Sequence, residues 1–528
     1  MKYLHLFKTQ SAHAEAYKRG GVGYVEPWVD LVAETDEVHY NLPPIDWKTQ
    51  YLTFKALQDG TFKFSGNSVS YSTDLGETWT TLASNANSPT VKKDDYIMWK
   101  GQLTPTSSKG VGRFSSTGNY EAMGNPYSLL YGGDFEGKTD LTGKDYALYN
   151  LFYGSDRLTS AENLSLPATI LASYCYSSMF NNCTSLTGAP ELPATTLVDS
   201  CYSAMFYSCR SLATAPVLSA TTLAAKCYYG MFNGCTKLTT APALPATTLA
   251  VSAYTDMFAG CWRLTTAPAL PATTLAANCY RGMFGGCTSL TTAPELPATT
   301  LADCCYQLMF DDCTSLTSAP ELPATTLAAS AYTHMFGGCT SLTTVPGLPA
   351  TTLANYCYSY MFLNCTSLTA APALPATTLA DRCYDDMFNG CTSLTTVPRL
   401  PATKLVNGCY AYMFDGCTSL TATPELPATA LAQSCYNGMF SGCTSLTAAP
   451  VLPATTLANY CYQYMFNGCT SLNYIKAMFT TTPSTSYTRD WVNGVASTGT
   501  FVKNGVATWN VTGANGIPTG WTVQTASA

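Results

Sequence analysis

Cysteine is the residue whose number and spacing in this chain come closest to chemistry. There are 23 cysteines in 528 residues, and all but Cys304 fall into two files with a period of 26: one through Cys175, Cys201, Cys227, Cys279 and their successors, the other through Cys183, Cys209, Cys235, Cys261, Cys287 and theirs. Thiols at a fixed spacing could pair as disulfides, hold zinc, or attack a substrate. A pair eight residues apart, such as Cys279 and Cys287, could bridge within a copy. However, Ala253 and Ala331 replace the first cysteine while Cys261 and Cys339 remain. Alanine is a natural substitute for a small buried thiol and a poor one for half of a required bridge, so reduced, buried thiols are expected, of the kind assembled in a reducing compartment. The eight-residue spacing and the lack of accompanying histidine do not suit zinc. Of the four histidines, His5, His13, His39 and His334, only His334 lies among the cysteines, at a variable position, so a Cys-His nucleophile pair is not expected.

Carboxylates and aromatics come next. Glu295, Glu321 and Glu425 recur at one position of the period, but Ala243, Ala269, Gly347 and Arg399 interrupt them, which describes a solvated face. Nothing singles out the two positioned carboxylates that glycoside hydrolysis needs, and there is no phosphate-binding loop. No catalytic residue, cofactor or metal site is expected. Exposed aromatics remain: Tyr229, Tyr356, Tyr360, Tyr412, Tyr460 and Tyr464, with Trp262 where other copies have threonine. Such rings suit stacking on a glycan or contact with a protein. They would equally serve as scattered surface residues or as contacts between subunits.

These residues are carried by a repeat. Met179 and Phe180 open a series of Met-Phe pairs that returns every 26 residues to Met465 and Phe466, twelve in all. Each copy has too few apolar side chains to close a core alone and must bury them against its neighbours, the mark of a solenoid. In one copy Cys279, Tyr280, Met283, Phe284 and Cys287 predict an apolar stripe on a short helix, ending at the glycine three residues past Met. On that helix Tyr356 with Tyr360, and Tyr460 with Tyr464, would sit side by side. Leu290 and Leu296 then predict a strand of roughly three to five residues, limited by Pro294 and Pro297, which offer no N–H to a ladder. The expected fold class is therefore α/β: a solenoid of twelve 26-residue coils, each a short parallel strand plus a short helix. At about 4.8 Å per coil its length would be on the order of 60 Å.

The string from Phe284 through Gly286, Cys287, Ser289 and Leu290 to the proline-bearing segment is similar to the BspA-type leucine-rich repeats of bacterial surface proteins. The period here is longer than the family's usual one, and Ala-Pro stands where an aliphatic strand residue is expected. The resemblance implies that this α/β array is a leucine-rich-repeat solenoid, used for binding, as in adhesins, rather than for catalysis.

Around the array the chain divides into four segments. Residues 1–44 form an N-terminal attachment module. It resembles the leader of structural proteins from phages of gut Bacteroidales, through Tyr3, Leu4, Phe7, Thr9, Tyr17, Asp36, Glu37, Val38, His39, Tyr40 and Asn41. Residues 45–133 alternate polar and apolar with glycine turns, a β-sandwich-like pattern. Within it, Ser72, Asp74, Gly76, Thr78 and Trp79 fit an Asp-box hairpin, a fold element. Residues 134–472 hold the solenoid with a degenerate first coil, in which Leu151, Phe152, Leu158 and Leu164 take repeat-like places. Residues 473–528, with Trp491, Trp509 and Trp521, should make a β cap. The net charge of −7 disfavours nucleic acid, and no apolar run is long enough to span a membrane. No secretory signal is evident at the N-terminus. Together these readings anticipate a phage virion protein, a fibre or appendage made in the host cytoplasm. It would join other virion proteins through its first module and recognise a host surface protein or glycan through its repeats. A homo-oligomer, such as a trimer, is an open expectation. The alternative is a bacterial cell-surface adhesin.

Overall fold

The computed structural model describes residues 46–107 and 109–526; the leader residues from Tyr3 to Asn41 lie outside them. Through the array the copies stack coil on coil, and the Met-Phe pairs are wholly buried. Phe284 stacks on Phe258 and Phe310 at 5.8 and 5.6 Å, and Tyr280 on Tyr254 and Tyr306 at 5.8 and 5.7 Å. One apolar core runs from the first strand of the N-terminal sheet to the last tryptophan.

The helix expected in each coil does not form. From Asn278 to Cys287, alternate amides donate three residues back: Arg281 to Asn278 O at 3.2 Å, Met283 to Tyr280 O at 3.2 Å and Gly285 to Gly282 O at 3.0 Å. The amides between them donate into the next coil: Tyr280 to Cys305 O at 3.0 Å, Gly282 to Gln307 O at 2.8 Å and Phe284 to Met309 O at 2.9 Å. Asn278, Gly282 and Gly286 have φ of +57°, +60° and +71°. A left-handed residue at every fourth place turns the chain and excludes an α-helix. The run is a ladder of tight turns whose interior residues come in pairs, Cys279 with Tyr280 and Met283 with Phe284, at a period of four rather than about 3.6. The α part of the expected fold class is corrected on this ground. The strand is also shorter than expected. Neighbouring coils meet there through isolated parallel bridges, such as Thr240 with Thr266 and Thr248 with Thr274, because the intervening prolines have no amide to donate.

All 23 cysteines are unpaired, and all but Cys304 are buried. Those of the second file donate to the coil before, as Cys287 Sγ does to Phe258 O at 3.2 Å. Ala253 takes its place in the first file without disturbing the ladder: Tyr228 N still donates to Ala253 O at 3.1 Å. Burial pushes thiols such as Cys287 well above their usual range, so they are inert packing groups.

The N-terminal part is built from β1 (Leu52–Ala56), β2 (Phe62–Phe64), β3 (Val69–Ser72), β4 (Thr80–Leu82), β5 (Tyr96–Lys100), β6 (Phe114–Ser116), β7 (Tyr120–Met123), α1 (Ser128–Tyr131) and β8 (Leu158–Ser160). Six of the strands form a sheet in the order β4-β3-β5-β1-β7-β8, and β2 pairs with β6. In the β3–β4 hairpin, Asp74 accepts from Ser72 Oγ at 2.6 Å and Thr78 N at 3.0 Å, and the Trp79 indole donates to Gly76 O at 3.2 Å. These bonds hold the turn itself. The β8 strand pairs in parallel with β7, and Ser160 bridges to Gly188, so the sheet passes its ladder directly to the array. Phe152 stacks on Phe180 at 5.4 Å.

At the other end the period continues past the last Met-Phe pair. Trp491 lies 26 residues after Met465 and takes the methionine's place, with Phe466 N donating to Trp491 O at 2.8 Å. Gly494 (φ +75°) likewise follows Gly468 (φ +74°). A short α2 (Thr485–Thr488) precedes Trp491, and β9 (Tyr474–Ala477), β10 (Thr500–Lys503) and β11 (Thr522–Thr525) form a parallel sheet that extends the stack.

Candidate functional site

Each coil presents the outer side chains of its turn ladder in files, one residue per coil. The residues just before Met form one file: His334, Tyr360, Asp386, Tyr412, Gly438 and Tyr464. Those five before Met form another, holding Tyr356, Arg382 and Tyr460. Both files sit at left-handed positions, so Tyr356, Tyr360, Tyr412, Tyr460 and Tyr464 have φ of +58°, +58°, +52°, +59° and +54°. Bulky residues rarely adopt this conformation, and each costs ~1 kcal/mol where glycine would cost nothing. The same positions are left-handed in every coil, as at Ser252, Asn278, Leu308 and Ser330, so the conformation belongs to the repeat and the tyrosines are carried on it.

The pairing expected along a helix is replaced by pairing across coils. His334 stacks on Tyr360 at 4.5 Å, 12° from parallel, and the Tyr360 hydroxyl sits beside Asp386. Tyr412 leans over Gly438, where an added Cβ would strike the ring. Tyr356 and Tyr460 are exposed, while Tyr360, Tyr412 and Tyr464 are half-buried. Trp262 is set apart: it is 59% exposed, several coils nearer the N-terminus and on a different part of its coil.

Carboxylates that the sequence did not single out complete the face. Asp386 is buried and accepts from Asn389 Nδ2 at 2.7 Å; the same nitrogen lies 3.4 Å from Asp415 Oδ2. Asp385, only 2% exposed, accepts from Arg382 Nη1 at 2.9 Å through one oxygen, and its other oxygen has no partner. Burial is the leading cause at all three: it pushes Asp386 up to about 6 and raises Asp385 and Asp415. Two coils before Tyr360, burial and then the neighbouring Asp312 push Asp311 up to about 7. His334 Nδ1 lies 3.9 Å from Asp311, yet burial lowers the imidazole. Both partners are driven toward neutrality, so this contact is not a working ion pair near neutral pH.

These shifts predict a pH dependence. A carboxyl that keeps its proton more readily when folded lets the unfolded chain ionise first as pH rises. Stability therefore falls from the ordinary value near 3.8 up to the folded value of about 7 for Asp311. Asp311→Asn is expected to be more stable than the parent at pH 8 by ~1 kcal/mol after allowance for solvent screening, with the gain gone by about pH 4. Thermal melts at both pH values test this, and an equal gain at both would refute it.

A second aromatic cluster went unnoticed in the sequence. Tyr146 stacks on Tyr174 at 4.7 Å and meets Tyr149 edge-on at 5.7 Å, and both Tyr146 and Tyr174 are left-handed. Their spacing of 28, rather than 26, hid the pair. The carboxylate face was hidden because Asp386 and Asp415 lie 29 residues apart. Among the described residues, no group of three or more acidic, histidine or cysteine side chains could hold a metal ion, and no helix is long and apolar enough to cross a membrane.

The model of the BspA type leucine rich repeat region matches this chain over residues 149–291, 254–395 and 359–488, more than half of its length. No curated protein matches it. A solved structure titled "Crystal structure of TLR13-ssRNA13 complex" is similar at 12% identity over 65% of this chain, with a TM-score of 0.21; this chain spans about half, 50%, of that one.

Proposed function

Since the chain belongs to the BspA-type leucine-rich repeat family, we propose that this surface repeat protein is a fibre or appendage of a phage virion whose turn-ladder face recognises the host surface. The observation that carries the recognition role is the concentration of tyrosines and largely buried carboxylates on one face of a rigid stack. The virion assignment is supported by the leader resemblance and by buried thiols left unpaired, as suits assembly in a reducing cytoplasm. In this reading the N-terminal module joins other virion proteins, and no catalytic step or cofactor is involved. The family itself favours a second reading, a bacterial cell-surface adhesin. Fractionation separates the two: the protein should co-purify with phage particles, and its presence on washed cells but never in particles would select the adhesin. In either setting, Tyr460→Ala with Tyr464→Ala is expected to lower attachment of the full chain to target cells about tenfold, from ring contacts of ~0.5–1.5 kcal/mol each, with an unchanged melt. Unaltered attachment would remove these residues from the site.

A further inference from the structure

Three successive coils bring nine residues into a grid on the turn-ladder face. Asp385, Ala411 and Asn437 form one file, Asp386, Tyr412 and Gly438 the next, and Asn389, Asp415 and Ser441 the third. Within it, three carboxylates are met by a single guanidinium, that of Arg382. The remaining hydrogen bonds come from one neutral amide, Asn389 to Asp386 and to Asp415, with the Tyr360 hydroxyl beside Asp386 and the Ser441 hydroxyl beside Asp415. Two oxygens in the grid lack any partner, Asp385 Oδ1 and Asn437 Oδ1, and both are acceptors. Asp385 is almost wholly enclosed, and its charge is felt by both Asp386 and the Tyr360 hydroxyl, so the unpaired oxygen belongs to the same cluster.

An acidic cluster that is largely buried, with spare acceptors and one internal cation, lacks positive charge and N–H donors. A metal ion fits poorly, because no three carboxylates converge. An ammonium or guanidinium fits better: it brings several donors, needs no fixed coordination geometry, and is attracted to the tyrosine rings beside the acids. We propose that this grid binds the basic side chains of a partner protein, with Asp386 and Asp415 taking the cation and Tyr360 and Tyr412 flanking it. A protein segment is favoured over a single amino sugar because half-buried acid recurs along the stack at Asp311, so that an extended segment carrying several cations would engage more than one coil.

This inference rests on the turn-ladder face being the recognition surface, and it carries a pH signature. The groups facing Asp386 are Asp385, Asp415, Asn389 and the Tyr360 and Tyr412 hydroxyls, with Arg382 next to Asp385. A cation arriving there favours the ionised carboxyl, so binding should release protons and weaken below about pH 6.

The test is calorimetric titration of the full chain with a synthetic peptide of alternating lysine and serine, and separately with glucosamine and N-acetylglucosamine oligomers, at pH 5, 6 and 8. The peptide is expected to bind most tightly at pH 8, where Asp386 is already ionised, with net proton release near pH 6 and more weakly at pH 5. Asp386→Asn with Asp415→Asn should weaken it about tenfold and abolish the proton release. Glu425→Gln, on the strand side, should change nothing. Tyr412→Phe should bind as the parent does, and Tyr412→Ala several-fold more weakly. Peptide binding unaffected by the double Asn variant, absence of proton release near pH 6, or binding of the amino sugar without the peptide would each overturn the proposal. If cell attachment still depends on Tyr460 and Tyr464 while the double Asn variant attaches normally, the recognition surface stands and only its cationic ligand is refuted.

Discussion

Phe310→Ala is expected to destabilise the array by ~3–5 kcal/mol, the largest single effect available in its interior. The ring is wholly buried and stacked on Phe284 and Phe336 at 5.6 Å on either side. Its backbone is also committed: the amide donates to Met335 O at 2.9 Å and the carbonyl accepts from Cys339 Sγ at 3.1 Å. Removing the ring leaves a cavity shared by three coils, which cannot collapse without breaking the ladder between them. Because each coil touches only its neighbours, the damage should be local in the native state, with hydrogen exchange rising in the coils around Met309 before it rises at either end. Urea titration gives the magnitude. A loss below ~1 kcal/mol, or protection lost evenly along the chain, would contradict this view of the core.

The second large effect is expected at the C-terminal end. Trp491→Ala should cost a similar ~3–5 kcal/mol but unfold the protein from that end. Trp491 packs on Phe466 and Phe479 at 6.2 and 5.8 Å, and its indole donates to Gly516 O at 2.9 Å. Without it the last Phe and Tyr of the stack would meet water. Limited proteolysis should then release fragments from the C-terminal side, while the sheet of β1, β5 and β7 stays protected. Cleavage beginning at the N-terminal sheet would show that Trp491 is not what closes the stack. Trp491→Phe should keep most of the apolar contact and lose the indole bond, at about 1–2 kcal/mol.

The continuation of the period through Trp491 was readable, since Gly494 also follows Gly468 by 26 residues. The change from Met-Phe to Trp-Val concealed it. The turn ladder left a similar trace. Cys279, Tyr280, Met283, Phe284 and Cys287 repeat at four, and small or polar residues recur before and after them at the same interval. A helix tolerates that pattern for two turns, so the sequence alone did not separate the alternatives.

From its own sequence the chain determined the solenoid, the burial of the Met-Phe pairs and the thiols as packing groups. Each follows from a 26-residue repetition of apolar residues that must be hidden against its own copies. Only the tertiary structure decided the turn ladder in place of a helix, because the sign of φ at Asn278 or Gly282 depends on whether the neighbouring amides find their acceptors in the same coil or the next. It likewise decided the grid of Asp385, Asp386, Tyr412 and Asp415. Residues in different coils become neighbours only when the coils are stacked, and burial then withholds the solvent that would otherwise stabilise their charge.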